Sequence, residues 1–265
     1  MKQSSELKTE CSSSIENTHI SFLQNSASMR TYSMMREKQV NLNLLNVSKE
    51  IKELRTNLIY GDICQICFKM NLSPNCYFLS IYLFDYLISY FNIPVDKIKI
   101  VFVTCLSLAS KTLESFETYI DLTMINKLYS KYSIEALVSL EKFLFSLFEF
   151  KLNFPTAYDF LELIFFLVED GLTVNSNCHY TKLNIPNLKE ECKAKLLTVL
   201  VDGRINCSNP DTIALAVLIS VFDSNGLDIF RIKNLKKIIL SQKRDFERCL
   251  SFCKTIFQEV SMEIQ

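Results

Sequence analysis

Apolar residues recur along most of this chain at intervals of three and four, with polar residues between them, the signature of amphipathic helices. Read with start and stop signals, the pattern predicts a short helix over 35–47, then a first set over 48–70, 74–91, 95–113, 121–130 and 133–152. A second set follows over 156–170, 187–202, 210–225, 228–240 and 242–263. Five helices are thus followed by five, with 171–186 as the long connection. The third helix of each set is the most apolar, with Val101, Phe102, Val103, Cys105, Leu106, Leu108 and Ala109 in one and the unbroken run Ile213 to Ile219 in the other. A helix that is apolar on every side is surrounded by others. The segment 98–103 is β-branched enough for a strand, yet its pattern runs past strand length with no Gly or Pro to turn a hairpin, so it reads as helix.

Composition sharpens this reading, because only 4 Gly and 5 Pro occur in 265 residues. Gly-rich phosphate loops, turn-rich β folds and Pro-rich linkers are all excluded by such scarcity. Pro74, Pro94, Pro155 and Pro210 stand where first helical turns are expected, and Pro186 precedes a start at Asn187 and Glu190. Gly171, Gly203 and Gly226 each follow an apolar run, where a left-handed cap belongs. Gly61 alone lies inside a helical pattern. Residues 1–33 are polar and read as a mobile tail. The expected architecture is all-α, with two five-helix units over 34–153 and 154–265, the first preceded by a short helix.

The formal net charge is zero, which gives no global field for nucleic acid. The polar N-terminus lacks the apolar core of a secretion signal. The greasiest stretch, 78–95, carries Asp85 near its middle, where a membrane span would be penalised by at least about 2.5 kcal/mol. Ten Cys without a secretion signal read as free thiols in a reducing compartment. Cys64 and Cys67 form a CxxC, but no second CxxC accompanies them and His19 and His179 lie in distant polar segments, so neither zinc nor redox chemistry is expected. No phosphate loop, zinc-protease motif, nucleophilic triad or helix-borne carboxylate pair is visible. Glu190 and Glu191 next to Lys193 and Lys195 read as a solvated face, as does the basic cluster of Lys233, Lys236, Lys237, Lys243 and Arg244. Enzymatic activity, a cofactor, nucleic-acid binding and membrane binding are therefore not expected.

More informative are single charges inside apolar helices. Asp85, Lys111 and Glu141 each stand in an otherwise greasy segment. Buried charges need partners. Either these three pair internally or reach solvent on their own stems, or they meet the backbone groups of another protein.

Three segments resemble those of the cyclin box. Residues 106–111, Leu-Ser-Leu-Ala-Ser-Lys, look like its LLLASK segment, and 83–89, Leu-Phe-Asp-Tyr-Leu-Ile-Ser, resemble its YLDRFLS helix. Residues 140–152 followed by Phe154-Pro155-Thr156-Ala157 are similar to the family's ME-x-x-(I/V)-L…PT stretch. The likeness covers roughly 48–168, and the contexts Leu54-Arg55 and 107–111 are most similar to the cyclin J type. It implies a fold of two five-helix repeats and a regulatory subunit of a cyclin-dependent kinase in the nucleus or cytoplasm. By the same resemblance Lys111 and Glu141 bind the kinase backbone, and Arg55 with Asp85 forms a structural ion pair. Exposed parts of the third and fifth helices, Thr112, Leu113, Glu114, Phe145 and Phe148, are candidate further contacts, with core as the alternative for the apolar ones.

The sequence also departs from that family. Thr112 and Leu113 precede Glu114 where many cyclins place acidic residues directly after the Lys. The family's substrate-docking segment is replaced by Leu54-Arg55-Thr56-Asn57-Leu58, and the chain has no Trp, so docking through that groove is not expected. The rival expectation is a cyclin-fold adaptor that binds proteins without activating a kinase.

Overall fold

The structure is a computed structural model that describes residues 28–39, 42, 44, 47–128, 132–174, 184–204, 208–227, 235, 236, 238, 239 and 243–263. Every regular element among the described residues is helical. In chain order they are α1 (28–38), α2 (Lys49–Leu58), a π-helical turn (Ile59–Ile63), α3 (Cys64–Lys69), α4 (Pro74–Tyr90), a 3-10 turn (Val95–Lys97), α5 (Ile98–Leu113), α6 (Leu122–Leu128) and α7 (Ile134–Leu147). The second half holds α8 (Ala157–Val174), α9 (Ile185–Asp202), α10 (Pro210–Ser224), a short helical stretch around Leu235 and Ile239, and α11 (Lys243–Glu263).

Local chemistry explains the starts. Ser48, Ser73 and Ser133 lie in extended conformation, and their hydroxyls accept from the amides of Ile51, Cys76 and Ala136. At α8 a capping box forms, in which the Thr156 amide donates to Asp159 Oδ2 at 2.8 Å and the Asp159 amide donates to Thr156 Oγ1 at 3.3 Å. Helix α9 stops at Gly203, whose φ of 77° is the left-handed value that glycine adopts without steric cost.

Two apolar cores result. One surrounds α5 and includes Phe84 stacked on Phe102 at 4.4 Å. The other surrounds α10 and holds Phe160, Phe165 and Phe222. Both central helices are buried along nearly their whole length, as their patterns predict. The two halves meet through the ring of Phe78 in α4, stacked on Tyr158 of α8 at 4.8 Å, and through Asn75, which donates to Asp159 at 3.0 Å.

Several boundaries differ from the sequence expectation. The preliminary helix runs over 28–38 rather than 35–47, so the tail expected over 1–33 gives way to helix from residue 28. Met29, Tyr32 and Met35 fall three apart and face the second core, while Leu44 and Val47 pack on the first. Residues 1–27 lie outside the described set, as do most of 171–186, both His, most of 228–240 and, from the basic cluster, Lys233 and Lys237. Helix α8 continues through Gly171 to Val174, so no cap forms at that glycine. Helix α9 begins at Ile185, capped by the Asn184 side chain, instead of at Asn187. Helix α7 ends at Leu147, well short of 152, because Glu149 and Phe150 take positive φ values of 51° and 59°. Gly61 lies in the π-helical turn, where the freed carbonyl of Ile59 accepts from the Tyr77 hydroxyl at 2.9 Å.

Candidate partner-binding site

The last turn of α5 and the middle of α7 lie side by side. Lys111 Nζ is 2.5 Å from Glu141 Oε1, with side chains 30% and 16% exposed. The pair is therefore reachable from solvent while most of each stem is covered. Around it the polar groups are braced. Ser107 Oγ lies 3.0 Å from the Ile120 carbonyl oxygen and 3.3 Å from Glu141 Oε1, and Ser110 Oγ accepts from the Ile120 amide at 3.0 Å. These two serines bind the segment before α6 to α5. Asp121 then caps α6, accepting from the Met124 amide and the Thr123 hydroxyl, each at 2.7 Å. Those hydrogen bonds hold the Asp121 carboxyl below its ordinary value, and the Lys111 charge adds to the effect.

Chemically the pair offers one ammonium with three donor hydrogens next to one carboxylate with free lone pairs. An incoming backbone could take both, its carbonyls facing Lys111 and its amides facing Glu141. Apolar surface lies nearby. Leu113 and Phe116 are 41% and 87% exposed. Phe145, one turn beyond Glu141 on the same face, is half-buried and touches the exposed Phe150 at 5.4 Å.

The other residues singled out in the sequence fall in distinct places. Thr112 is exposed, with its hydroxyl donating to the Leu108 carbonyl at 2.8 Å. Glu114 turns away to the start of α4, accepting from the Ser73 amide at 2.8 Å and its hydroxyl at 2.6 Å. A carboxylate at that helix N-terminus is favourably placed, so Glu114 is engaged inside the chain rather than presented beside Lys111. Phe148 is corrected outright: it is 5% exposed and packs against Tyr86 and Phe154, which makes it core instead of contact surface. Phe148 stands one turn after the buried Leu144, its amide still bonded to the Leu144 carbonyl at 3.1 Å, and so continues the buried face of α7. Sequence reasoning passed over Ser107, Ser110, Phe116 and Phe150. The serine hydroxyls carried no signal beyond lying in the segment 106–111, and the two phenylalanines no periodicity.

Arg55 and Asp85 do meet, with Nε to Oδ1 at 2.5 Å and Nη2 to Oδ2 at 2.7 Å, in surroundings that leave each about 2% exposed. Arg55 goes further than the expected pair. Its Nη1 donates to the Val201 carbonyl at 2.9 Å and its Nη2 to the Leu200 carbonyl at 2.8 Å. Those carbonyls belong to the last turn of α9, just before its stop at Gly203, and the Val201 carbonyl also accepts from the Thr56 hydroxyl at 3.4 Å. One guanidinium thus binds α2, α4 and α9 together. Burial pushes the Asp85 carboxyl up from its ordinary value, against the opposing charge and hydrogen bonds of Arg55.

No grouping of three or more metal-binding side chains suited to an ion occurs among the described residues, and no described helix is long and apolar enough to cross a membrane.

Comparison with known proteins bears on this geometry. The X-ray structure of a viral cyclin from herpesvirus saimiri superimposes with a TM-score of 0.59 at 14% identity, covering 77% of this chain and 86% of that one. The chain has the cyclin fold. A family model described as the cyclin N-terminal domain matches residues 25–153, a span that contains Arg55, Asp85, Lys111 and Glu141. Curated proteins give no match. Helices α8 to α11 lie beyond the matched family model, and their likeness to a cyclin is one of fold.

Proposed function

We propose that this chain is a cyclin, a regulatory subunit that binds and activates a cyclin-dependent protein kinase and performs no catalysis of its own. The observation that carries the reading is the Lys111–Glu141 pair, half-covered, braced by Ser107 and set at the end of α5 within the span matched by the cyclin N-terminal domain. Binding exchanges the contact between these two side chains for contacts with the kinase backbone. Lys111 donates to carbonyls there and Glu141 accepts from amides. The rigid first repeat binds the kinase best with its regulatory helix swung inward, so the active state is populated by differential affinity. Leu113, Phe116 and Phe145 supply the apolar part of an interface of roughly 2,000 Å².

On this reading 34–153 is the cyclin box with its preceding helix and 154–265 the second five-helix unit. The contexts around Leu54-Arg55 and Ser107 to Lys111 point to the cyclin J type, and the site of action is the nucleus or cytoplasm. Reconstitution tests the proposal: the purified chain is mixed with individual cyclin-dependent kinases, and complex formation and phosphorylation of a protein substrate are measured. Complex formation with stimulated phosphorylation is expected. A stable complex without stimulation would make the chain an adaptor, and the absence of any complex would remove the kinase reading.

A further inference from the structure

The second repeat carries its own ion pair where the first carries Lys111 and Glu141. Counted from the first residue of its helix, Asp223 in α10 occupies the place that Lys111 occupies in α5. Its partner is Lys254 of α11, at 3.1 Å, with side chains 51% and 43% exposed for Lys and Asp. The third and fifth helices of each repeat are therefore joined at the same end by one ion pair, with the signs reversed. Beside the second pair lies an open groove of about 700 Å³, bounded by α9, the end of α10 and the end of α11. The half-buried Phe257 gives it an apolar wall, and Met262, 68% exposed, stands at its rim. Lys195 lines the same groove with its ammonium 4.3 Å from the centre of the Phe257 ring.

We propose that this groove is a second docking surface, for a short protein segment that carries a carboxylate next to a large apolar side chain. Charge complementarity selects the occupant. The charged side chains lining the groove are Lys195, Lys254 and Asp223, so one carboxylate faces two ammonium groups and an incoming acid restores the balance. The apolar wall takes the neighbouring side chain, as in helix-in-groove recognition. Because the signs are reversed relative to the first repeat, a partner fitted to Lys111 and Glu141 meets the wrong charge order here, and the two surfaces bind different segments. This inference does not rest on the kinase reading.

Selection of short random peptides displayed on phage, on the whole purified chain, tests it. Three forms are then compared with the native chain: Lys195→Gln with Lys254→Gln, Met262→Ala alone, and Lys111→Ala with Glu141→Ala. The enriched peptides are expected to carry Asp or Glu adjacent to Leu, Met or Phe. Their binding should weaken about tenfold or more with the first form and measurably with the second, and stay unchanged with the third. Enriched peptides without an acid, peptides indifferent to both groove variants, or no enrichment at all would overturn the proposal. Circular dichroism of each form distinguishes lost binding from lost folding, and Met262, at the rim, provides a variant that leaves the core intact.

Discussion

Arg55 and Asp85 form a bidentate ion pair at 2.5 and 2.7 Å inside the junction of the two repeats, and the same guanidinium takes up two carbonyls from the end of α9. Removing one member leaves the other buried and uncompensated. Asp85→Ala and Arg55→Ala are each expected to destabilise the chain by about 3 to 5 kcal/mol, read as a shift in the urea midpoint. Arg55→Ala should be the worse of the two, since it also removes the hydrogen bonds to the Leu200 and Val201 carbonyls. Equal stability of either variant and the native chain would contradict the assigned role.

The fold was legible because the two central helices are apolar all round and the few Pro and Gly punctuate them. What escaped was backbone conformation without a sequence mark. Glu149 and Phe150 adopt the left-handed region with no Gly or Asn to announce it, which ends α7 at Leu147 instead of 152. Of the site, Lys111 and Glu141 were visible as charges in apolar surroundings, and the structure brings them together. Glu114 was visible as a charge too, but its hydrogen bonds to Ser73 span 41 positions, a pairing that no local pattern encodes.

Phe148 and Phe116 make opposite predictions. Phe148→Ala opens a cavity against Tyr86 and Phe154 and should lower stability by about 3 to 5 kcal/mol. Phe116→Ala removes a side chain that is 87% exposed and should leave the denaturation midpoint unchanged while weakening kinase binding. Reversal of the two outcomes would show that core and surface have been exchanged.

Asp121 supplies a pH dependence. Its carboxyl titrates below the ordinary value because it accepts hydrogen bonds at the start of α6. The stabilisation is therefore complete above the unfolded-state carboxylate pKa, and it disappears as pH falls through the depressed folded-state value. Asp121→Ala should cost about 1 kcal/mol at neutral pH, less in acid. Asp121→Asn keeps a cap and should flatten that part of the stability profile. A profile identical in all three forms would refute this.

The thiols divide by exposure. Cys64 is exposed, whereas Cys67, Cys76, Cys105, Cys192, Cys249 and Cys253 are buried. Burial pushes the Cys67 thiol up to about 12, with the neighbouring Cys64 and Glu114 adding to the shift. Brief alkylation of the folded chain at neutral pH, read peptide by peptide in a mass spectrometer, should label Cys64 first among these seven. Labelling of Cys105 at the same rate would be inconsistent with its full burial.

The central claim is that Lys111 and Glu141 hold the kinase. Titration calorimetry of a cyclin-dependent kinase against the native chain and against the Lys111→Ala, Glu141→Ala form measures it directly, with thermal denaturation confirming that both are folded. The double variant is expected to bind more weakly by about 2 kcal/mol or more, roughly thirtyfold, at unchanged thermal midpoint. Native affinity in the folded variant would contradict the account.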